Sequence, residues 1–319
     1  MTKYPLKMTT FSLQDTRRSY VLLLLRIAVF CLLAGRAWQH LFWDAPFRTV
    51  LWSEDLLQWF VEGTLGYSWQ SYVTSMRTDA IIQGTIRGFG VFYALGAVLT
   101  LLAQPGKWRR GISLFYYVTV GALTLLSLFY MKEKFYQWGQ FFEYASQVGA
   151  PLLFVYFLYR SFREQRMLLA IKVMIGLTFL CHGLYAFGYY PRPGAFVDMV
   201  INILGVQENF AHKFLVMAGI IDFVVVVLIF IPGLAKPALV WAFIWGTFTS
   251  LARIVANFDA TFFASTLSQW WWETVLRASH AILPLVALYI QYGLRIEKVS
   301  TWLKRPGAQS AGAKELVAG

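Results

Sequence analysis

Imidazoles exchange protons near neutral pH more readily than any other side chain. All four histidines of this chain, His40, His182, His212 and His280, stand in a helical register with charged groups or beside them. Arg36, His40 and Asp44 follow at i, i+4 and i+8. Glu208, His212, Gly219 and Asp222 share one helical face, Arg253 pairs with Asn257, and Glu273, Arg277, His280 and Pro284 make a fourth stripe. Histidine with a relaying carboxylate suits general acid–base work, and His182, Asp222 and His280 are the candidates for it. The plainer alternative is that pairs such as Glu273 with Arg277, or Arg36 with Asp44, are ties that hold helices in register.

Other chemistries lack their patterns. Glu208 and His212 have a spacing that suits metal ligation, but the chain contains no His-Glu-x-x-His, Cys-x-x-Cys or haem-attachment sequence, and no metal is expected. Cys31 and Cys181 read as packing residues inside helices. A phosphate loop, a dinucleotide fingerprint and a Gly-x-Ser-x-Gly elbow are all missing from the sequence.

The elements that must position these residues are membrane helices. Of the 319 residues 58% are hydrophobic and 14% charged, where soluble chains carry about 45–50% and 25%. Apolar stretches long enough to cross a hydrocarbon layer of about 30 Å recur along the chain. Backbone groups in lipid must pair within their own segment, so the stretches are helices. The spans read as roughly 19–42, 80–103, 111–131, 136–160, 166–190, 208–231, 236–257 and 270–294, and the fold class as an all-α polytopic bundle of about eight transmembrane helices. No small-residue cleavage site follows the first span, which reads as a retained helix.

The net charge of +12 is distributed by loop. Lys3, Lys7, Arg17 and Arg18, then Lys107, Arg109 and Arg110, then Arg160, Arg163 and Arg166, then Lys236, and finally Arg295, Lys298, Lys304 and Arg305 fall on one side. Arg48, Arg77, Lys132, Lys134 and Arg192 fall on the other. The positive-inside rule then makes both termini cytoplasmic. It also assigns the charge to anionic lipid headgroups of the bilayer, with no nucleic-acid partner expected. Tryptophans crowd the outer side (Trp38, Trp43, Trp52, Trp59, Trp69, Trp138 and Trp270 to Trp272) as interface anchors.

An internal duplication is legible. Tyr144-Ala145-Ser146-Gln147 leads to Pro151-Leu152, Tyr156 and Tyr159, and Arg277-Ala278-Ser279-His280 leads at the same offsets to Pro284-Leu285, Tyr289 and Tyr292. Pro105-Gly106 matches Pro232-Gly233, and Arg26 matches Lys172. The reading is a leader over 1–18, four-helix repeats over 19–161 and 162–295 in parallel orientation, and a poorly ordered tail over 296–319, with leader and tail cytoplasmic. Segments 53–62 and 194–204 are too short to span and read as helices lying in the outer interface.

With this topology the ionisable residues within spans concentrate in the outer half. Arg36, His40, His182, His212, Arg253, Glu273, Arg277 and His280 lie there with Arg87, Glu143, Glu208 and Asn257, and Asp222 lies deeper. Charged groups facing lipid are costly, so the stripes should converge on a polar cavity opening outwards. Histidines, carboxylates, arginines and aromatics beside lipid suit a quinone or another amphiphilic ring compound. They equally suit a proton-coupled carrier of a small solute.

Phe179-Leu180-Cys181-His182-Gly183-Leu184, Ala218-Gly219-Ile220-Ile221-Asp222 and Pro232-Gly233-Leu234 resemble the DoxX-like membrane protein family. There a His-Gly pair ends the first of four helices and a Gly-x-x-acid element lies in the second. Asp222 stands where a glutamate is typical, and Arg36-Ala37 stands at the His-Gly position of the first repeat. The resemblance implies a bacterial inner-membrane location, a quinone as possible cofactor and a redox partner subunit. The Arg-bearing first helix and the Arg-x-x-His element before a proline are also similar to the HTTM group. A non-catalytic structural or assembly subunit is the third class the sequence leaves open.

Overall fold

In the computed structural model residues 13–159 and 164–292 are described. Most of the leader, the basic junction with Arg160 and Arg163, and the tail lie outside the described residues. Fourteen helices run along the described residues: α1 (Leu13–Phe42), α2 (Phe47–Leu51), α3 (Glu54–Gly63), α4 (Trp69–Thr74), α5 (Met76–Leu102), α6 (Arg109–Glu133), α7 (Trp138–Glu143), α8 (Ala145–Tyr159), α9 (Glu164–Phe187), α10 (Gly194–Leu204), α11 (Glu208–Leu228), α12 (Ala235–Ala256), α13 (Phe263–Val275) and α14 (Ala278–Tyr292). Eight segments are long and apolar enough to cross a membrane, with α7–α8 and α13–α14 each counting as one. The chain is a polytopic helical membrane protein.

Burial separates the spans into two classes. In α1, α7–α8, α9 and α13–α14 half or more of the apolar window is buried (50–61%), against 33% in α5, α6, α11 and α12. The first four therefore form an inner bundle, whose apolar core includes Leu25, Leu32, Phe154, Ile175, Leu283 and Val286. The outer helices clasp it: α5 along α1, α6 along α8, α11 along α9, and α12 along α14.

Small residues make the closest of these contacts possible. A side chain at Gly219 of α11 would begin 2.8 Å from the carbonyl oxygen of Gly183 on α9, and one at Gly246 of α12 would begin 2.7 Å from the carbonyl oxygen of His280 on α14. Consecutive outer helices are thus drawn to different inner ones. α11 and α12 leave the turn at Pro232-Gly233, where Gly233 has φ +88°, and meet each other only sparsely.

Three differences from the sequence reading matter. The fourth and eighth spans are not continuous: helical geometry breaks at Tyr144 and at Leu276–Arg277, beside the duplicated Ala-Ser pair. At each break a hydroxyl on a neighbouring helix takes up a released backbone group. The amide of Ser146 donates to Thr178 Oγ1 on α9 at 3.2 Å, and Ser250 of α12 sets its hydroxyl 2.7 Å from the Gly246 carbonyl and 3.3 Å from that of Arg277. Pro151 and Pro284 lie within α8 and α14; lacking an N–H, each also removes a ladder bond to the carbonyl four residues earlier.

Second, the eighth segment begins at Phe263 rather than near 270. Its added turns carry the Ser268 carbonyl, which accepts from the indoles of both Trp38 and Trp43 at 3.0 Å. Third, Arg26, which the sequence shows only as the repeat match of Lys172, ties α1 to the end of α5. Its guanidinium donates to the carbonyls of Leu101 and Ala103 at 2.9 and 2.7 Å, satisfying groups that the end of α5 leaves open.

Candidate functional site

The divergence of α11 from α12 leaves a wedge at the end of the bundle that carries α10, and α10 lies across it in contact with both helices. The cavity between them measures about 500 Å3, within the range of sites for small organic ligands. Its walls are apolar: Phe179, Phe196, Val200, Phe214, Leu215 and Trp245 among them. Four ionisable residues from four helices reach it, His182 on α9, Asp222 on α11, Arg253 on α12 and His280 on α14.

Local sequence explains how these groups arrive. Gly183 follows His182 and Gly219 precedes Asp222 by three residues, so the contact that draws α9 against α11 also sets both polar side chains beside one cavity. Gly246 does the same for His280 by admitting its backbone. Phe196 of α10 stacks on the His182 ring with centroids 5.9 Å apart and planes at 18°. The His280 ring stands edge-on to His182 at 5.7 Å.

Two of these groups have spare hydrogen-bonding capacity. Asp222 and His280 are each 3% exposed, and neither Asp222 Oδ1 nor His280 Nε2 has a hydrogen-bond partner among the described residues. Buried polar atoms are ordinarily paired, and an unpaired one costs about 1–3 kcal/mol. Both residues belong to the lining of one cavity, so a turn of either side chain would offer its unpaired atom to a ligand's polar head.

Behind the cavity several polar groups are paired, though among the described residues Thr274 Oγ1, Arg277 Nε and Ser279 Oγ have no hydrogen-bond partner. His182 Nε2 lies 3.3 Å from Glu143 Oε1 on α7. Arg253 Nε lies 3.2 Å from Glu273 Oε2, which also meets Arg277 Nη1 at 3.4 Å. Arg253 donates to the Thr249 carbonyl at 2.8 Å, and Asn257 to the Arg253 carbonyl at 2.7 Å. Glu273 therefore holds Arg253 in place, Arg277 shares the same carboxylate, and neither Glu273 nor Arg277 lines the cavity.

The remaining expected ligand residues lie elsewhere. Arg36 is buried in a separate cluster, donating to Gln39 Oε1 at 2.8 Å and Gln147 Oε1 at 2.7 Å, with its guanidinium over the rings of Tyr130 and Tyr144 at 5.6 and 5.1 Å. It does not pair with Asp44, which lies beyond the end of α1 and bonds Arg48 at 3.0 Å. His40 hydrogen-bonds the Arg36 carbonyl through Nδ1 at 2.7 Å and meets Phe47 and Tyr93 edge-on. Around it Phe47, Ile82, Ile86 and Leu126 fill the space between α5 and α6. His212 sits at the surface with Arg192 and Glu208, and Arg87 is exposed on α5, outside any inward stripe.

Glu143, Thr178, Phe196 and Trp245 belong to the site without having been singled out for it. Glu143 had a usable signal, an ionisable residue immediately before a duplicated motif. Its partner His182 lies in the other half of the chain, where helical spacing makes no connection.

Fold and cavity together define a class, a multi-pass α-helical membrane protein with an apolar chamber floored by histidine and carboxylate. Comparison with protein-family models, curated proteins and solved structures finds no match to this chain, so geometry carries the functional reading.

Proposed function

We propose that the chain is a bacterial inner-membrane protein, similar to the DoxX-like family, that binds a quinone or similar lipophilic molecule in this cavity as a subunit of a redox system. The observation that carries the reading is the pairing of apolar walls with two unpartnered buried polar atoms, Asp222 Oδ1 and His280 Nε2. A ring head with hydrogen-bonding oxygens complements them, and an apolar body complements the walls. Positive-inside charge supports an outward-facing cavity: Lys107, Arg109 and Arg110 flank the opposite end of the bundle. The recurrence of packing partners half a chain apart, α5 on α1 as α11 on α9, and α6 on α8 as α12 on α14, supports two parallel four-helix repeats. The functional cavity then belongs to the second.

The test is extraction of co-purifying lipophiles from protein in mild detergent, with titration of a decyl-substituted benzoquinone against tryptophan fluorescence. Saturable quenching weakened by His280→Ala is expected. Quenching that does not saturate, with no extracted quinone, overturns the reading.

The broken spans α7–α8 and α13–α14 favour one second reading, a proton-coupled small-molecule transporter, because discontinuous helices bearing ionisable groups line the sites of many carriers. Solute uptake into proteoliposomes driven by a proton gradient and abolished by Asp222→Asn would establish it in place of the first.

A further inference from the structure

The cavity lining changes character along its length. At its floor Asp222 and His280 are buried and polar. At its mouth the lining residues are apolar and themselves exposed on membrane-spanning or membrane-surface helices: Phe248 (61%), Leu251 and Val255 (56%) on α12, and Ile203 and Leu204 on α10. A side chain that both lines a chamber and faces outward on a transmembrane helix marks an opening towards hydrocarbon. The aqueous end is closed differently. There α10 turns Phe196, Met199 and Val200 onto the chamber, while the ionic residues of that end, Arg192, Glu208 and His212, hold one another outside it.

The wedge between α11 and α12 has a structural cause already described: each helix is committed by a glycine contact to a different inner helix. The space between α5 and α6, by contrast, is closed by Phe47 with Phe89 and Phe129 against it at 5.1 and 5.2 Å. In the second half Phe214 of α11 and Trp245 of α12 face each other across the wedge with ring centroids 6.5 Å apart, but both line the cavity instead of filling it, and the opening beside Phe248, Leu251 and Val255 persists.

Resting on the ligand-binding reading above, we infer that the ligand passes sideways between α11 and α12, beneath α10, directly from the bilayer. Its class is then a tailed amphiphile, whose head reaches Asp222 and His280 and whose apolar tail stays in the mouth beside Phe248, Leu251 and Val255. A water-soluble solute arriving at the α10 end does not fit this route. The groups at the mouth make it selective for chain, and the groups at the floor make it selective for head.

The experiment bridges the mouth. Ile203→Cys and Val255→Cys are introduced with Cys31→Ala and Cys181→Ala, and bifunctional thiol reagents of graded length link α10 to α12 in proteoliposomes, with bridging verified by mass. Binding of the decyl-substituted benzoquinone is followed by stopped-flow fluorescence. Bridging before addition should slow association at least tenfold, and bridging after loading should slow release by a similar factor. A single bulky variant, Val255→Trp, should slow both rates without a bridge. Unchanged rates in a fully bridged protein and in Val255→Trp overturn the lateral route while leaving the cavity reading intact. Absence of saturable binding to the unmodified protein overturns the cavity reading itself, so the two failures are distinct.

Discussion

Glu143 Oε1 on α7 lies 3.3 Å from Nε2 of His182 on α9, an ion-pair distance between residues from different halves of the chain. This contact fixes the imidazole that Phe196 covers and that stands next to His280. It makes the cavity dependent on the first half, although its lining comes from α9 to α14.

Removing the carboxylate should therefore weaken the site from behind. Glu143→Ala is expected to lower stability by about 1–3 kcal/mol, the usual cost of stranding a buried hydrogen-bonding group. Glu143→Gln, which keeps an acceptor oxygen, should lose less. Unfolding of the detergent-solubilised protein checks both, and equal losses would count against the contact.

The close approach at Gly246 gives a sharper prediction. A methyl group there begins 2.7 Å from the His280 carbonyl oxygen and 3.0 Å from its carbon, backbone atoms that have little freedom to yield. Gly246→Ala should cost about 1–3 kcal/mol in overpacking and displace His280. Weakened quinone quenching together with a lowered unfolding midpoint is the expected result. Gly121→Ala, with open space around the added atom, is the control and should change neither.

Arg36 and His280 should separate by function. Arg36→Ala strands Gln39 and Gln147, which lose their guanidinium donors, and should reduce stability by about 2–4 kcal/mol on the usual cost of unpaired buried groups. Quinone affinity in the surviving folded fraction should change far less. His280→Ala should do the reverse: removing an unpartnered buried nitrogen offsets part of the packing lost with the ring, and losing one head-group contact worth about 1.4 kcal/mol weakens binding about tenfold. Parallel melting and titration experiments on the two variants test the division.

Surface histidine chemistry should be dispensable. His212 lies with Glu208 and Arg192 outside the cavity, so His212→Ala should alter stability by no more than about 0.5 kcal/mol and leave quinone quenching unchanged. A large loss of binding on this substitution would mean that the aqueous end belongs to the site.

Much of the architecture was legible because lipid imposes it residue by residue. Apolar length set the eight spans to within a few residues at most ends, and the short helix expected at 194–204 appears as α10 with the same limits. The breaks in the fourth and eighth spans were less legible. Their causes include hydroxyls on other helices, Thr178 and Ser250, which no local pattern connects to Ser146 or Arg277.

The candidate site divides along the same line. By itself the sequence determined which residues are costly to bury in a membrane, and so produced His182, Asp222, Arg253 and His280 together with Arg36, His40 and His212. Depth and helical face are local quantities, fixed by a 1.5 Å rise and 3.6 residues per turn. Which of these residues share a chamber was decided only by tertiary packing. Gly183 against Gly219 and Gly246 against His280 pull neighbouring helices apart and open a wedge at four of them. Phe47 fills the space beside His40, and Gln39 and Gln147 take up two of the Arg36 guanidinium nitrogens, although Arg36 Nε and His40 Nε2 stay unpartnered among the described residues and do not line that chamber. Whether a buried polar atom is partnered depends on which helix lies opposite, and that is a property of the assembled bundle.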